Sequence, residues 1–130
     1  DEIDLKLISE VKNIPQNVKI NFNELKIHDS IEQIFTIIRK VNAYLEKKAP
    51  WKAIKEDDSQ ESNAATTLAL SADILRISTE LLSPIMPNKT TEILNILGCK
   101  PVISLDLNIG GIKAGTKLNP GKTPFPRIIQ

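Results

Sequence analysis

At 130 residues and 14.4 kDa, the chain has room for one substantial core and not two. Its composition, 41% apolar, 25% charged and only 4% aromatic, excludes a disordered tail or a fibre and leaves the core to Ile, Leu, Val and Ala. A single cysteine, Cys99, excludes an intrachain disulfide framework, and with one histidine, His28, it supplies too few soft ligands for a Cys/His zinc site. No apolar run approaches the roughly 20 residues that span a bilayer, and Asp1-Glu2-Ile3-Asp4 lacks the basic start of a signal peptide. The default expectation is a cytoplasmic domain with no membrane partner, and the start at Asp1 without methionine reads as a processed product or an excised piece.

Residues 3–14 support a helix with Leu5, Leu7, Ile8 and Val11 as its apolar set, and Pro15 marks a break or a new start. Residues 16–24 continue this helical arm at a kink, although the alternation of Val18, Ile20 and Phe22 leaves a strand open. The clearest helix covers residues 29–48, with Ile31, Ile34, Phe35, Ile38, Val41, Asn42 and Leu45 recurring at three and four residues. His28, Asp29 or Ser30 is expected to cap it, and Pro50 requires it to end near Ala49. Its β-branched isoleucines lower intrinsic helicity, so it depends on packing partners.

A second long helix is expected over residues 60–82, with Leu68, Ala72, Leu75, Thr79 and Leu82 on one line, widened by Leu70, Ile74, Ile77 and Leu81. Apolar residues cover more than half its circumference, which puts it at the centre of a bundle. Pro84 and Pro87 stop it, Asn88 or Thr90 caps a shorter helix carrying Ile93, Leu94, Ile96 and Leu97, and Gly98 ends that helix in a left-handed turn. Beyond Cys99 the glycines and prolines break any helical period. The expectation is an all-α bundle over about residues 1–98, with residues 99–130 as a tail laid across it, containing a small hairpin near residues 110–117 and docking through Phe125 and Ile129.

The net charge of +1 is unevenly distributed. Residues 1–55 carry ten basic and eight acidic side chains, residues 56–98 two and seven, and residues 99–130 five and one. Between positions 39 and 55, Arg39, Lys40, Lys47, Lys48, Lys52 and Lys55 face only Glu46, and the one tryptophan, Trp51, lies among them. Cations for phosphates and a flat ring for an unstacked base are what an RNA contact uses. Lysines favouring a helix C-terminus beside a tryptophan that fills a core edge would give the same pattern.

Catalytic machinery is not legible. His28 has no serine or cysteine in a recognisable arrangement and reads as capping or packing, and Cys99 as a small buried filler. Gly121-Lys-Thr123 fails the phosphate-loop spacing, because Thr116 stands where glycine is required. Glu56, Asp57, Asp58 and Glu61 read as a solvated loop rather than a Mg²⁺ site.

The segment Asn42-Ala-Tyr-Leu-Glu-Lys-Lys-Ala-Pro-Trp-Lys-Ala-Ile-Lys55 closely resembles the helix and following corner of the anticodon-binding domain of methionyl-tRNA synthetases. The resemblance continues through Leu81-Leu-Ser-Pro-Ile-Met-Pro87, the helix at residues 93–98 and the closing Pro124-Phe-Pro-Arg-Ile128, covering about residues 24–128 in order. The valine, leucine and isoleucine enzymes share the general helical architecture. The resemblance implies a partial anticodon-binding domain, whose first helix lies upstream of Asp1 and supplies an asparagine and an arginine to the anticodon.

It further implies that the complete enzyme joins methionine to tRNA(Met) with ATP and Mg²⁺, in a catalytic domain of the same polypeptide. The His-Ile-Gly-His and Lys-Met-Ser-Lys-Ser signatures of that domain occur nowhere in these residues, so this piece is expected to be non-catalytic, with no cofactor or metal of its own and no DNA partner. By the same resemblance Trp51 stacks on the anticodon, Pro50 positions the corner, and Lys47, Lys48, Lys52 and Lys55 are candidate phosphate contacts. Asn42 is expected to be a polar residue packed between helices and Tyr44 an outer wall of the bundle. The competing reading is a helical tRNA-binding or protein-interaction module with no catalytic domain attached.

Overall fold

The computed structural model describes residues 1–56, 61–100, 109–112, 115–121 and 123–126. Six helices follow one another: α1 (Glu2–Val11), α2 (Ile14–Asn23), α3 (Ile27–Lys48), α4 (Pro50–Glu56), α5 (Glu61–Leu82) and α6 (Pro87–Ile96). No strand occurs among the described residues, which makes the fold all-α and settles residues 14–23 as helix. None of these helices is long and apolar enough to cross a membrane.

The helix ends follow from backbone groups that need partners. Asp1 opens α1 by accepting hydrogen bonds from the Ile3 and Asp4 amides, at 2.9 and 3.1 Å. Pro15 sits in the first turn of α2, where a missing N–H costs nothing. Leu25 takes a left-handed φ of +60° and the Lys26 N–H reaches back to the Asn21 carbonyl at 2.8 Å. That closing turn restarts the chain as α3 at Ile27, two residues earlier than the sequence pattern indicates.

The expected caps of α3 are therefore wrong. His28 and Asp29 lie exposed within its first turn, and buried Ser30 donates its hydroxyl back to the Lys26 carbonyl at 3.0 Å. At α6 the same correction applies. Pro87 opens the helix, and Thr90 donates to the Met86 and Pro87 carbonyls instead of accepting from amides. Gly98 does end α6 left-handed at φ +71°, and a Cβ there would stand 2.4 Å from the Lys117 carbonyl oxygen of the tail.

Helix α3 buries a line one step around from the expected one, whereas α5 buries the expected Ile74, Ile77, Thr79, Leu81 and Leu82 but leaves Leu68 and Leu75 exposed. On α3 the buried residues are Ser30, Ile34, Ile37, Val41 and Tyr44, whereas Phe35 is 42% exposed. On α5, Thr67, Ser71, Ile74, Ser78 and Leu81 face inward, and Leu68 and Leu75 open onto a cavity of about 360 Å³ between α3 and α5. Ser71 and Ser78 of this line also border that cavity. Their hydroxyls donate to carbonyls one turn back, Ser71 to Thr67 at 2.8 Å and Ser78 to Ile74 at 2.9 Å. The core that results joins Leu7 and Val11 of α1, Val18 of α2, Ile34, Ile37 and Val41 of α3, and Ile74, Ile77 and Leu81 of α5. Helix α5 touches all five others, the central position its composition implies.

The sequence reading missed a buried charge cluster on α5. Asp73, Arg76 and Glu80 stand three and four residues apart, with Arg76 bonded to Asp73 at 3.0 Å and lying 3.5 Å from Glu80. Asp73 also accepts the Gly110 amide at 2.5 Å and the Ile112 amide at 3.2 Å, which ties the tail to α5. Burial pushes the Glu80 carboxyl above the usual range against the pull of Arg76. Farther on, Asn119 bonds the Ile96 and Asn95 carbonyls at 2.8 and 3.0 Å, holding the tail on α6. The expected hairpin is not seen among the described residues of its span, Phe125 is 58% exposed, and Ile129 lies outside the described residues.

The rotated stripe has a measurable consequence. Ile74→Ala is expected to cost about 2 to 5 kcal/mol, because the side chain is fully enclosed, while Leu75→Ala costs under about 1 kcal/mol. Urea denaturation of both variants checks this, and equal losses would contradict the observed burial.

Candidate nucleic-acid interface

The last turn of α3 carries Leu45 to Lys48 and is closed by the Ala49 amide donating to the Leu45 carbonyl at 2.8 Å. Ala49 then takes the left-handed region, φ +41° and ψ +57°. An L-residue there is unfavourable by roughly 1 kcal/mol, a cost that surrounding contacts must offset. They do so through Pro50, which is fully buried and starts α4, its fixed φ suited to a helix's first position. The chain therefore turns sharply between two helices on a two-residue hinge that is tight by construction.

Trp51 follows directly, on the outer side of that hinge, and is 51% exposed. Pro50 and Ala53 form the inner side of α4, which packs on α5. Trp51, Ile54 and Lys55 stand at helical spacings on the outer side, with Lys52 adjacent. Ile54, 50% exposed, belongs to this face and was missed; its spacing of three from Trp51 was the signal available. Trp51 is thus neither a buried core residue nor a free side chain, but an aromatic plate standing on a short helix anchored from beneath.

The basic cluster divides into two groups. Arg39 pairs with Glu32 at 3.6 Å and Lys40 with Glu10 at 2.9 Å. Lys48 is only 12% exposed; its ammonium lies 3.1 Å from Asp4 and also pairs with Asp1. Lys47, Lys52 and Lys55 are exposed and have no acidic partner among the described residues. Within this cluster the uncompensated charge is therefore left on Lys52 and Lys55, which share α4 with Trp51, and on Lys47 in the last turn of α3, which borders a cleft with α1.

Tyr44 and Asn42 exchange their expected places. Tyr44 is buried at 4% exposure and donates to Asp4 at 2.6 Å, while Asn42 is exposed. Position 44 falls on the inward line of α3 and position 42 about 200° around from it. Burial, and then the bond to Asp4, raise the Tyr44 phenol above its ordinary range. Cys99 is half-buried, with its thiol pushed up by burial, which disfavours the nucleophilic thiolate. Among the described residues no three His, Cys, Asp or Glu side chains converge to hold a metal. Asp57 and Asp58 of the acidic loop lie outside the described residues.

A helical bundle that displays an exposed aromatic ring and unpaired lysines on one corner has the makings of an RNA-binding module. A family described as the anticodon binding domain of methionyl tRNA ligase matches residues 1–128, and the chain belongs to that family. The methionine–tRNA ligase of Caldanaerobacter subterraneus is 31% identical over 98% of this chain, and that of the archaeon Sulfurisphaera tokodaii 30% over 96%. The chain spans only about a fifth of those relatives, 20% and 22% respectively. The crystal structure of the free Mycobacterium tuberculosis methionyl-tRNA synthetase superposes with a TM-score of 0.89 at 26% identity, over all of this chain and 27% of that one.

Asp4 makes the corner sensitive to acid. Burial alone would raise its carboxyl, but hydrogen bonds from Tyr44 and Lys48, with the charge of Lys48, pull it below the ordinary 3.8. A carboxyl depressed on folding contributes stability that is complete above about pH 4 and is lost as pH falls through its lower folded-state value. In acid titrations of unfolding, Asp4→Asn is expected to be less stable than the parent sequence at pH 6, with the difference narrowing toward pH 2. A constant difference across that range would contradict the depressed carboxyl.

Proposed function

We propose that this chain recognises the anticodon of tRNA(Met) as one part of a methionyl-tRNA ligase. The single observation that carries this reading is Trp51, half-exposed on a buried prolyl hinge with three unpaired lysines about it. An unstacked anticodon base lies against the indole, and an already oriented ring binds it without a further ordering cost. Lys47, Lys52 and Lys55 attract phosphates over a range of positions, a contribution that holds the RNA without reading its bases. Lys48 is less suited to that role, since its ammonium already has carboxylate partners.

Chemistry belongs elsewhere in the same polypeptide. We infer that the parent enzyme forms methionyl-adenylate from ATP and Mg²⁺ in a separate catalytic domain and acts in the cytoplasm. The 130 residues alone are expected to give no methionine-dependent exchange between pyrophosphate and ATP. Exchange by rigorously purified material would overturn that division of labour.

Trp51→Ala in the complete ligase is expected to weaken tRNA(Met) binding by about 1 to 3 kcal/mol, and to do so only with the native anticodon. Lys52→Ala and Lys55→Ala instead reduce affinity for native and changed anticodons alike and lower the salt dependence. Binding titrations at several salt concentrations, corrected for folded fraction, separate the two effects. Equal losses for both RNAs in Trp51→Ala, or a loss only of folded protein, would reject the stacking role.

A further inference from the structure

Asp4, Tyr44 and Lys48 form a contact that the anticodon reading does not itself require. Tyr44 and Lys48 are one turn apart on the same face of α3, and Lys48 is that helix's last residue. Both reach a single carboxylate on α1: the phenol donates to Asp4 Oδ1 at 2.6 Å and the ammonium lies 3.1 Å from the same oxygen. The end of α3 is thus held at two side chains, Tyr44 and Lys48, by one carboxylate of α1.

The end of a helix is where fraying begins, because its final carbonyls lack partners. Here the frayed end would be the platform from which Ala49 and Pro50 launch Trp51. Gripping Tyr44 and Lys48 together fixes both the position and the rotation of that last turn, so the left-handed hinge starts from one place. A lysine placed merely for solubility would not be held at 12% exposure, where its ammonium loses much of its hydration. We propose that the Asp4–Tyr44–Lys48 clasp is a positioning device for Trp51, setting the direction in which the indole meets the anticodon. Tyr44 and Lys48 act through the corner and do not touch the RNA. The consequence for tRNA rests on the stacking role of Trp51; the consequence for the orientation of the indole does not.

The test uses the complete ligase labelled with 5-fluorotryptophan, in which the Trp51 fluorine resonance is assigned by its loss in Trp51→Phe. Tyr44→Phe and Lys48→Met are expected to shift and broaden that resonance in fully folded protein. They are also expected to reduce the preference for native over changed anticodon by about tenfold, since a misdirected contact group loses its alignment. Lys48→Arg, which still pairs with Asp4, is expected to restore both readouts. An unmoved Trp51 resonance in folded Tyr44→Phe and Lys48→Met would overturn the clasp. So would a Lys48→Met variant that weakens both RNAs equally and lowers the salt slope by about one, the mark of a direct phosphate contact. Should Lys48→Met fail to fold, Tyr44→Phe, which removes a single oxygen, decides the matter. If Trp51→Ala leaves anticodon preference intact while the resonance still moves in the clasp variants, the stacking reading fails and the clasp stands.

Discussion

The enclosure of α5 is the constraint on which the remaining structure depends. Touching every other helix, it leaves water almost no side from which to reach its polar groups between Ser71 and Leu82. Each must then be satisfied within the protein or carry a large desolvation cost. Ser71, Ser78 and Thr79 meet this by bonding to their own helix, which keeps them small and self-contained. Asp73 and Arg76 meet it by bonding to each other and to the tail. The tail docks through this buried charge on α5 together with the apolar contact of Ile109 with the core. At Gly111 a Cβ would fall 2.3 Å from the Arg76 guanidinium, so the close passage of the tail over α5 at that position requires the absence of a side chain.

The corner at residues 48–51 expresses a similar economy. Exposing an aromatic ring is unfavourable unless something below prevents it from collapsing onto the core. The buried Pro50, the left-handed Ala49 and the packing of α4 on α5 together fix that ring outward. A short helix of seven residues would not persist alone in water. It persists because its inner face belongs to the core of its neighbour, leaving its outer face free for binding.

Charge shows how far local composition is from local potential. Six cations against one anion between positions 39 and 55 suggest a uniformly basic surface. Acids outside that stretch pair with three of them: Glu32, two turns earlier on the same helix, with Arg39, and Glu10 and Asp4, brought in by the fold, with Lys40 and Lys48. Two of these acids come from α1, so the antiparallel return of the chain sharpens a diffuse basic segment into three lysines beside Trp51. The exposed pairs among them contribute little to stability, and their effect is on where the unpaired charge remains.

Helical periodicity, proline boundaries and the Pro50–Trp51 pair made the all-α fold and the central position of α5 legible, because these rest on interactions within a few residues. The family was legible for the same reason, its motifs being contiguous. What the sequence pattern misjudged was rotation. Phe35, Leu68 and Leu75 fit the apolar stripe as well as Ile37 and Ile74 do, and only the directions from which neighbours approach decide which are enclosed. The helix starts at Ile27 and Pro87 were misread because a left-handed Leu25 and a prolyl first turn replaced side-chain caps. The pairing of Lys48 with Asp4, 44 positions earlier, and of Asp73 with the Gly110 amide, 37 positions later, left no local mark at all. Such partners meet only when the chain has folded, so which lysines stay free for a phosphate, and how Trp51 is held, were decided by tertiary structure alone.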